Sequence, residues 1–212
     1  MKKYHDLFNC PIYVTNLINE GIDNNSLKSF CDDYKEMDKG RLVSNRIGYQ
    51  SNDLDLKTYV NNEDVRLQPI FDKIISHCNH YATDFGVNED LEIALTGFWI
   101  NINFPNAVNM AHTHGFSFFS GVYYIDVPEN SGNIVFTHPN QHIQAYWNVR
   151  YDGLQTFTQE NSSNVERWWL PSCDGNLYIF PSWLEHSVEI NSSKHNRYSF
   201  AFNTTLQKKS KK

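Results

Sequence analysis

The chain has 212 residues, enough for one domain with a substantial core, and its formal net charge of −6 offers a nucleic acid no general attraction. Aromatic side chains are abundant (14 Phe, 12 Tyr and 5 Trp), whereas the four cysteines, Cys10, Cys31, Cys78 and Cys173, are scattered without a CxxC and read as reduced thiols. No apolar leader follows Met1, and nowhere do about 18 apolar residues run together as a membrane span needs. A soluble, cytoplasmic protein with no membrane partner is therefore expected, and a phage-encoded chain would look the same.

Residues 1–90 read as helical support, 91–206 as strands and 207–212 as a basic tail, all within one domain. Phe8 to Val14 is a short apolar stretch suited to an edge strand, where Pro11 is tolerated. Asn25 and Ser26 then cap a helix expected to run through Met37, with Leu27, Phe30, Cys31 and Tyr34 as its apolar stripe. Leu54-Asp55-Leu56 is too short to assign. Asn62-Glu63-Asp64 opens a second helix in which Leu67, Ile70, Phe71, Ile74, Ile75, Cys78, Tyr81 and Phe85 recur at helical spacing. Pro69 suggests that its regular part begins near that residue, and Gly86 closes it. His77 and His80 lie near the exposed side of this helix and read as surface residues rather than a metal pair.

From Leu91 onward short apolar stretches alternate with turn residues, the pattern of an antiparallel sandwich or barrel. The strands expected are Leu91–Phe104, Asn109–His114, Phe118–Val127, Asn133–Thr137, Trp168–Leu170, Asn176–Phe180, one containing His186–Val188, and Tyr198–Leu206. About eight such strands suit a mainly β fold, a double-stranded β-helix or cupin-like jelly roll, with the N-terminal helices packed on one face.

Three pieces of sequence carry chemistry. His112 and His114 stand at i and i+2, so on one strand they point to the same face and can reach one metal ion, with the distant His186 completing a face of its coordination shell. Arg197 and Ser199 obey the same rule, placing a guanidinium beside a hydroxyl, a suitable seat for a carboxylate. Each piece alone has a bland reading: a strand histidine is usually a hydrogen-bonded or surface residue, and Arg-x-Ser by itself carries little. Their joint order raises the signal. His138, His142 and His195 lack such support and read as loop residues, although His195 could approach the Arg197 end of a pocket.

With those residues in view, 97–204 resemble the catalytic core of the Fe(II) and 2-oxoglutarate dependent dioxygenases, nearest in style to the prolyl-hydroxylase branch and to short bacterial and phage-encoded oxygenases. The resemblance rests on His112-Thr113-His114, Ser120-Gly121-Val122-Tyr123-Tyr124-Ile125, Ser131-Gly132-Asn133-Ile134-Val135-Phe136, the run from Gly175 to Val188, and Arg197 to Asn203, in that order. It implies that His112 and His186 are iron ligands. It also implies that Arg197, with Ser199, holds the far carboxylate of 2-oxoglutarate, and that Tyr124 adds a phenol hydroxyl to the same co-substrate. Phe104 stands where relatives often carry a co-substrate-binding Tyr. The larger departure is His114, where relatives of known chemistry mostly have Asp or Glu. Either His114 is the third ligand, or a carboxylate such as Asp126 or Glu185 supplies the acid; the expected strand geometry favours His114.

The activity implied is hydroxylation of a small molecule or of peptidyl proline, with Fe(II), 2-oxoglutarate and O2 consumed together and succinate and CO2 released. A homodimer is common in such relatives. Two other classes stay open at this point: a cupin-like metalloenzyme that does not use 2-oxoglutarate, and a non-catalytic jelly-roll binding module. The long interval from His138 to Leu170 carries Tyr146, Trp147, Tyr151, Phe157, Trp168 and Trp169. Its Tyr146-Trp147 part reads as a substrate-covering loop, while Trp168 and Trp169 either line a site or simply fill the core.

Overall fold

A computed structural model describes residues 8–55, 64–140 and 156–209. The chain begins with β1 (Tyr13–Asn16), a single 3-10 turn (Leu17–Glu20), α1 (Asn24–Met37) and two very short strands, β2 (Asn45–Arg46) and β3 (Tyr49–Gln50). After α2 (Gln68–Asp84) come β4 (Leu91–Asn103), β5 (Val108–His112), β6 (Phe119–Asp126) and β7 (Ile134–Thr137). The series ends with β8 (Arg167–Leu170), β9 (Asn176–Pro181), β10 (His186–Val188) and β11 (Arg197–Lys208). These strands form a six-stranded sheet, β1-β9-β6-β11-β4-β3, and a five-stranded sheet, β2-β5-β10-β7-β8, antiparallel throughout. This is the mainly β, double-stranded β-helix architecture that the strand pattern predicts.

Alternation along β4 and β11 decides what lies on each face of the large sheet. Phe98, Ile100, Ile102, Phe200 and Phe202 point outward and are buried in one apolar cluster with Leu27, Phe30 and Cys31 of α1 and Ile70, Phe71, Ile74 and Cys78 of α2. The helices thus cover the outer face, as expected. A second, smaller cluster of Tyr124, Ile134, Phe136, Tyr178, Phe180 and Leu184 fills the space between the sheets. Four inner-facing residues of β4 and β11, Asn101, Asn103, Arg197 and Ser199, are buried and polar. So large a polar load on an interior face marks the place where the fold gives up core packing for a site.

Several boundaries differ from the sequence pattern. The cap of α1 is Asp23, whose carboxylate accepts from the backbone N–H groups of Asn25 and Ser26 at 3.0 and 3.2 Å, so those two residues already lie inside the helix. Asp64 does not open α2; it is bound by the Arg66 guanidinium, and the helix starts at Gln68 with Pro69 in its first turn. The N-terminal edge strand is shifted past Pro11, which has no N–H for the ladder. β11 continues to Lys208, leaving less of the basic tail outside the sheet than expected. Trp168 and Trp169 do not fill the core: they sit on edge strand β8 at 39% and 57% exposure. Tyr146, Trp147 and Tyr151 lie outside the described residues. Among those described, no helix is long and apolar enough to cross a membrane.

Candidate active site

The inner face of the large sheet can be read as rows of side chains set by register. Arg197 of β11 is opposite Asn103 of β4, and Ser199 is flanked in register by Asn101 on one side and Tyr124 on the other. The next row is Trp99, Ala201 and Val122, and beyond it lie Asn203 and Ser120. On the facing sheet His112 of β5 stands opposite His186 of β10, with Phe136 of β7 on the far side of His186. One cavity between the sheets is lined by all three candidate metal histidines together with Tyr124, Arg197 and Ser199. The residues that the sequence offers as the histidine triad and the co-substrate seat are therefore brought to one place.

The histidines meet at one end of this cavity. One nitrogen from each of His112, His114 and His186 lies within 4.8 Å of the others, and the rings are 4.5 to 5.2 Å apart between centroids. His112 Nδ1 donates to Met110 O at 2.7 Å and His186 Nδ1 donates to Leu184 O at 3.0 Å, because a carbonyl can only accept. That fixes the tautomer and leaves Nε2 of both rings with a free lone pair, the usual arrangement of a metal-binding histidine. Burial pushes His186 down to about 3 and His114 to about 4, with repulsion between the charged rings adding to both, and burial lowers His112 as well. All three are neutral at pH 7, as ligation requires.

His114 arrives there by a route that the strand argument did not foresee. β5 ends at His112, and the His114 backbone N–H donates to Ser182 O at 3.0 Å instead of to a ladder partner. The same residue, Ser182, donates its own N–H to Phe118 O at 3.2 Å, so both ends of the intervening loop are pinned to it. The alternative carboxylates do not take part: Asp126 is paired with Lys28, Glu185 is exposed, and among the described residues no Asp or Glu joins the cluster.

At the other end Arg197 is 1% exposed, and its Nη1 donates to Ser131 O at 3.0 Å and Gly132 O at 3.1 Å. Burial works against its charge, and it faces no carboxylate among the ion pairs of the described residues. The guanidinium lies 5.9 Å from the centroid of the Tyr124 ring, and neither Arg197 Nε nor the Tyr124 hydroxyl has a hydrogen-bond partner among the described residues. A buried cation and a buried phenol, both with unused hydrogen-bonding capacity, have the chemistry that suits an organic anion.

A family model described as "Putative 2OG-Fe(II) oxygenase" matches residues 97–203, half of the chain. The chain belongs to the 2OG-Fe(II) oxygenases. This oxygenase is accordingly an oxidoreductase with Fe(II) and 2-oxoglutarate as its cofactors, and the donor set fits them: neutral imidazole nitrogens suit Fe(II), and a buried guanidinium suits a dicarboxylate. No curated protein matches the sequence. Among solved structures the fold is similar to a Pseudomonas putida prolyl-4-hydroxylase, at 12% identity over 94% of each chain with a TM-score of 0.58. It is also similar to a prolyl hydroxylase from Trichoplax adhaerens, at 14% identity over 91% of this chain and 82% of that one with a TM-score of 0.56. A third is the epimerase SnoN in complex with Fe3+, alpha ketoglutarate and nogalamycin RO, at 13% identity over 95% and 82% with a TM-score of 0.58. At such identities the likeness speaks for the fold.

The other described histidines stay apart from the cavity, as expected. His77 bonds Tyr13 and Glu20, both at 2.8 Å, and His138 accepts from Asn140 N through Nδ1. His195 is not among the cavity residues, and its carbonyl closes a turn with Asn191; His142 lies outside the described residues. Phe104 packs beneath the Lys35 ammonium and has no hydroxyl to offer. Sequence reading missed Asn101, Asn109 and Trp99, which line the cavity, and Asn203, whose amide lies 3.4 Å from His114 Nδ1. Strand parity could have found Asn101 and Asn203, since both share a face with Arg197 or Ser199 or with their cross-strand neighbours.

Proposed function

We propose that this oxygenase hydroxylates a small molecule or a peptidyl proline in the cavity between its two sheets, where His112, His114 and His186 hold Fe(II) and Arg197, Ser199 and Tyr124 hold 2-oxoglutarate. The observation that carries the reading is the convergence, on a single cavity, of three neutral imidazoles and one buried guanidinium that has no carboxylate partner among the described residues. Hydroxylation draws support from the likeness to two prolyl hydroxylases, and a small-molecule substrate from the likeness to SnoN.

When bound, Fe(II) supplies the oxidising chemistry of the family, in which 2-oxoglutarate is converted to succinate and CO2 as dioxygen is reduced. The chain's own residues bind and orient. Arg197, anchored by two backbone carbonyls, presents a fixed positive charge to the distal carboxylate, while Ser199 and Tyr124 add hydroxyls beside it on the same sheet face. Trp99 stands 5.7 Å from the His114 ring between centroids and, with Phe180 and Ile134, gives the cavity an apolar wall that limits water.

Anaerobic titration of the metal-free protein with Fe(II) and then 2-oxoglutarate tests the assignment. The expected result is a weak visible charge-transfer band that appears with the second addition and is lost in His114→Ala. Iron binding without any band would overturn the co-substrate assignment and favour a metalloenzyme that does not use 2-oxoglutarate.

A further inference from the structure

Three buried asparagines bridge the two sheets beside Arg197: Asn45 of β2, Asn103 of β4 and Asn109 of β5, at 1%, 0% and 6% exposure. Asn45 Nδ2 donates to Tyr49 O at 3.2 Å and to Asn103 Oδ1 at 3.3 Å, and Asn103 Nδ2 donates to Asn109 Oδ1 at 2.8 Å. Gly48 lets Asn45 come this close, since a Cβ there would lie 2.3 Å from Asn45 Oδ1. None of the three belongs to the motifs that mark the metal and acid ends.

A lone amide can face either way, but this chain has one direction, set by donor counting. The Tyr49 carbonyl only accepts, so Asn45 turns its Nδ2 toward it, and the second N–H of that group makes Asn103 Oδ1 an acceptor. Asn103 then offers Nδ2 to Asn109, whose Oδ1 accepts. The far end of the chain, Asn109 Nδ2, makes no hydrogen bond among the described residues and is left as a donor. Asn109 lines the cavity together with Arg197, Ser199 and Tyr124, and its partner Asn103 is the register neighbour of Arg197, which puts the free donor at the acid-binding end. Asn109 also borders a groove with Met110, Val135 and Trp169, yet its amide is bonded inward to the large sheet, which assigns it to the inner cavity.

We propose that Asn109 Nδ2 donates to the distal carboxylate of 2-oxoglutarate beside Arg197, and that Asn103 and Asn45 are positioning residues that keep the amide N–H, and not its carbonyl, turned to the acid. The inference rests on the proposed function. An ionised carboxylate only accepts, through about four lone-pair sites, so it binds best where every facing group donates. A reversed Asn109 would present an oxygen to that anion. The buried chain fixes the favourable orientation before the acid arrives, so none of the binding energy is spent on turning the amide.

The test compares two acids, 2-oxoglutarate and 2-oxobutyrate, which shares the 2-oxo acid end but lacks the distal carboxylate. Their affinities for the Fe(II)-loaded protein are read anaerobically from the charge-transfer band in wild type, Asn109→Ala, Asn109→Asp and Asn45→Ala. Loss of a hydrogen bond to a charged group should weaken 2-oxoglutarate about tenfold to a hundredfold in Asn109→Ala and leave 2-oxobutyrate unchanged. Asn109→Asp still offers Asn103 an acceptor but presents an oxygen to the acid, and should weaken 2-oxoglutarate at least as much. Asn45→Ala, which releases the direction of the chain, should weaken 2-oxoglutarate by a smaller factor, again sparing 2-oxobutyrate. Equal weakening of both acids in Asn109→Ala, or wild-type affinity for 2-oxoglutarate in Asn109→Asp, overturns the role of Asn109 while leaving the proposed function standing; unchanged binding in Asn45→Ala overturns the positioning role. A wild-type protein that does not prefer 2-oxoglutarate over 2-oxobutyrate overturns the function itself, and the inference with it.

Discussion

Acid should destabilise the metal-free protein through its histidine triad, and the size of the effect follows from burial. In the folded chain His186 titrates at about 3 and His114 at about 4, against an ordinary 6.5 that unfolding restores. A depressed folded value means that the unfolded state binds more protons between the two values, so the triad contributes stability that is full above pH 6.5 and is lost as pH falls toward 4 and 3. Going from pH 8 to pH 5 should cost about 2 kcal/mol through His186 alone, the unfolded histidine being protonated over roughly 1.5 pH units at about 1.4 kcal/mol each. His114 is only half-buried, and screening trims its share, so about 3 kcal/mol is expected for the two together. In a chain of this size that is a fall of roughly 6–12 °C in Tm. Urea unfolding of the metal-free protein at both pH values, beside the His114→Gln/His186→Gln double variant, measures it. The variant should lose most of the pH dependence; parallel curves for the two proteins would refute the reasoning.

Other perturbations separate the parts of the site. Arg197→Met should weaken 2-oxoglutarate by about 2–5 kcal/mol, roughly 30-fold to several thousandfold, because a buried charge pair loses one partner, while metal content measured by elemental analysis stays at one ion per chain. Asn203→Ala should lower Fe(II) affinity about tenfold in a competition titration with a chelator, since it removes the side chain whose amide nitrogen lies 3.4 Å from His114 Nδ1. Gly121→Ala should lower stability by about 2–3 kcal/mol in urea unfolding, since its Cβ would lie 2.2 Å from Phe202 Cζ and 2.6 Å from Tyr178 O, in the middle of the large sheet.

The legible part of this protein was the part written in alternation. β4 and β11 alternate because one face meets the helices and the other meets the cavity, and that period is visible along Leu91–Asn103 and Arg197–Lys208. β2 and β3 escaped notice because two residues make no pattern; they exist as ladder partners of β5 and β4, a tertiary effect. His114 shows a subtler failure. Its partnership with His112 was foreseen from strand parity, yet the strand stops at His112 and a hydrogen bond to Ser182 O brings His114 to the cluster. Ser182 lies far along the chain, so no local spacing encodes that contact. The Asp23 cap is a smaller case: Asp, Asn and Ser rank almost equally as caps, and a run of them leaves the boundary open by a residue or two.

The third histidine also changes the electrostatics of the cavity as a whole. Among the described residues lining it, Arg197 is the one lysine, arginine, aspartate or glutamate, and burial already disfavours its charge. On the proposed ligand set a dication held by neutral imidazoles adds its full charge to that of Arg197, with no carboxylate ligand to offset either. Dianionic 2-oxoglutarate then neutralises most of the sum, one carboxylate at each end of the cavity. In a space walled by Trp99, Ile134, Phe180 and Val122, where charges are weakly screened, metal and acid must each raise the affinity for the other by the same factor. A carboxylate at position 114 would supply part of that counter-charge permanently and weaken the coupling. On the proposed ligand set, with histidine there, the co-substrate would supply most of the counter-charge, which would tie retention of the metal to the presence of the acid.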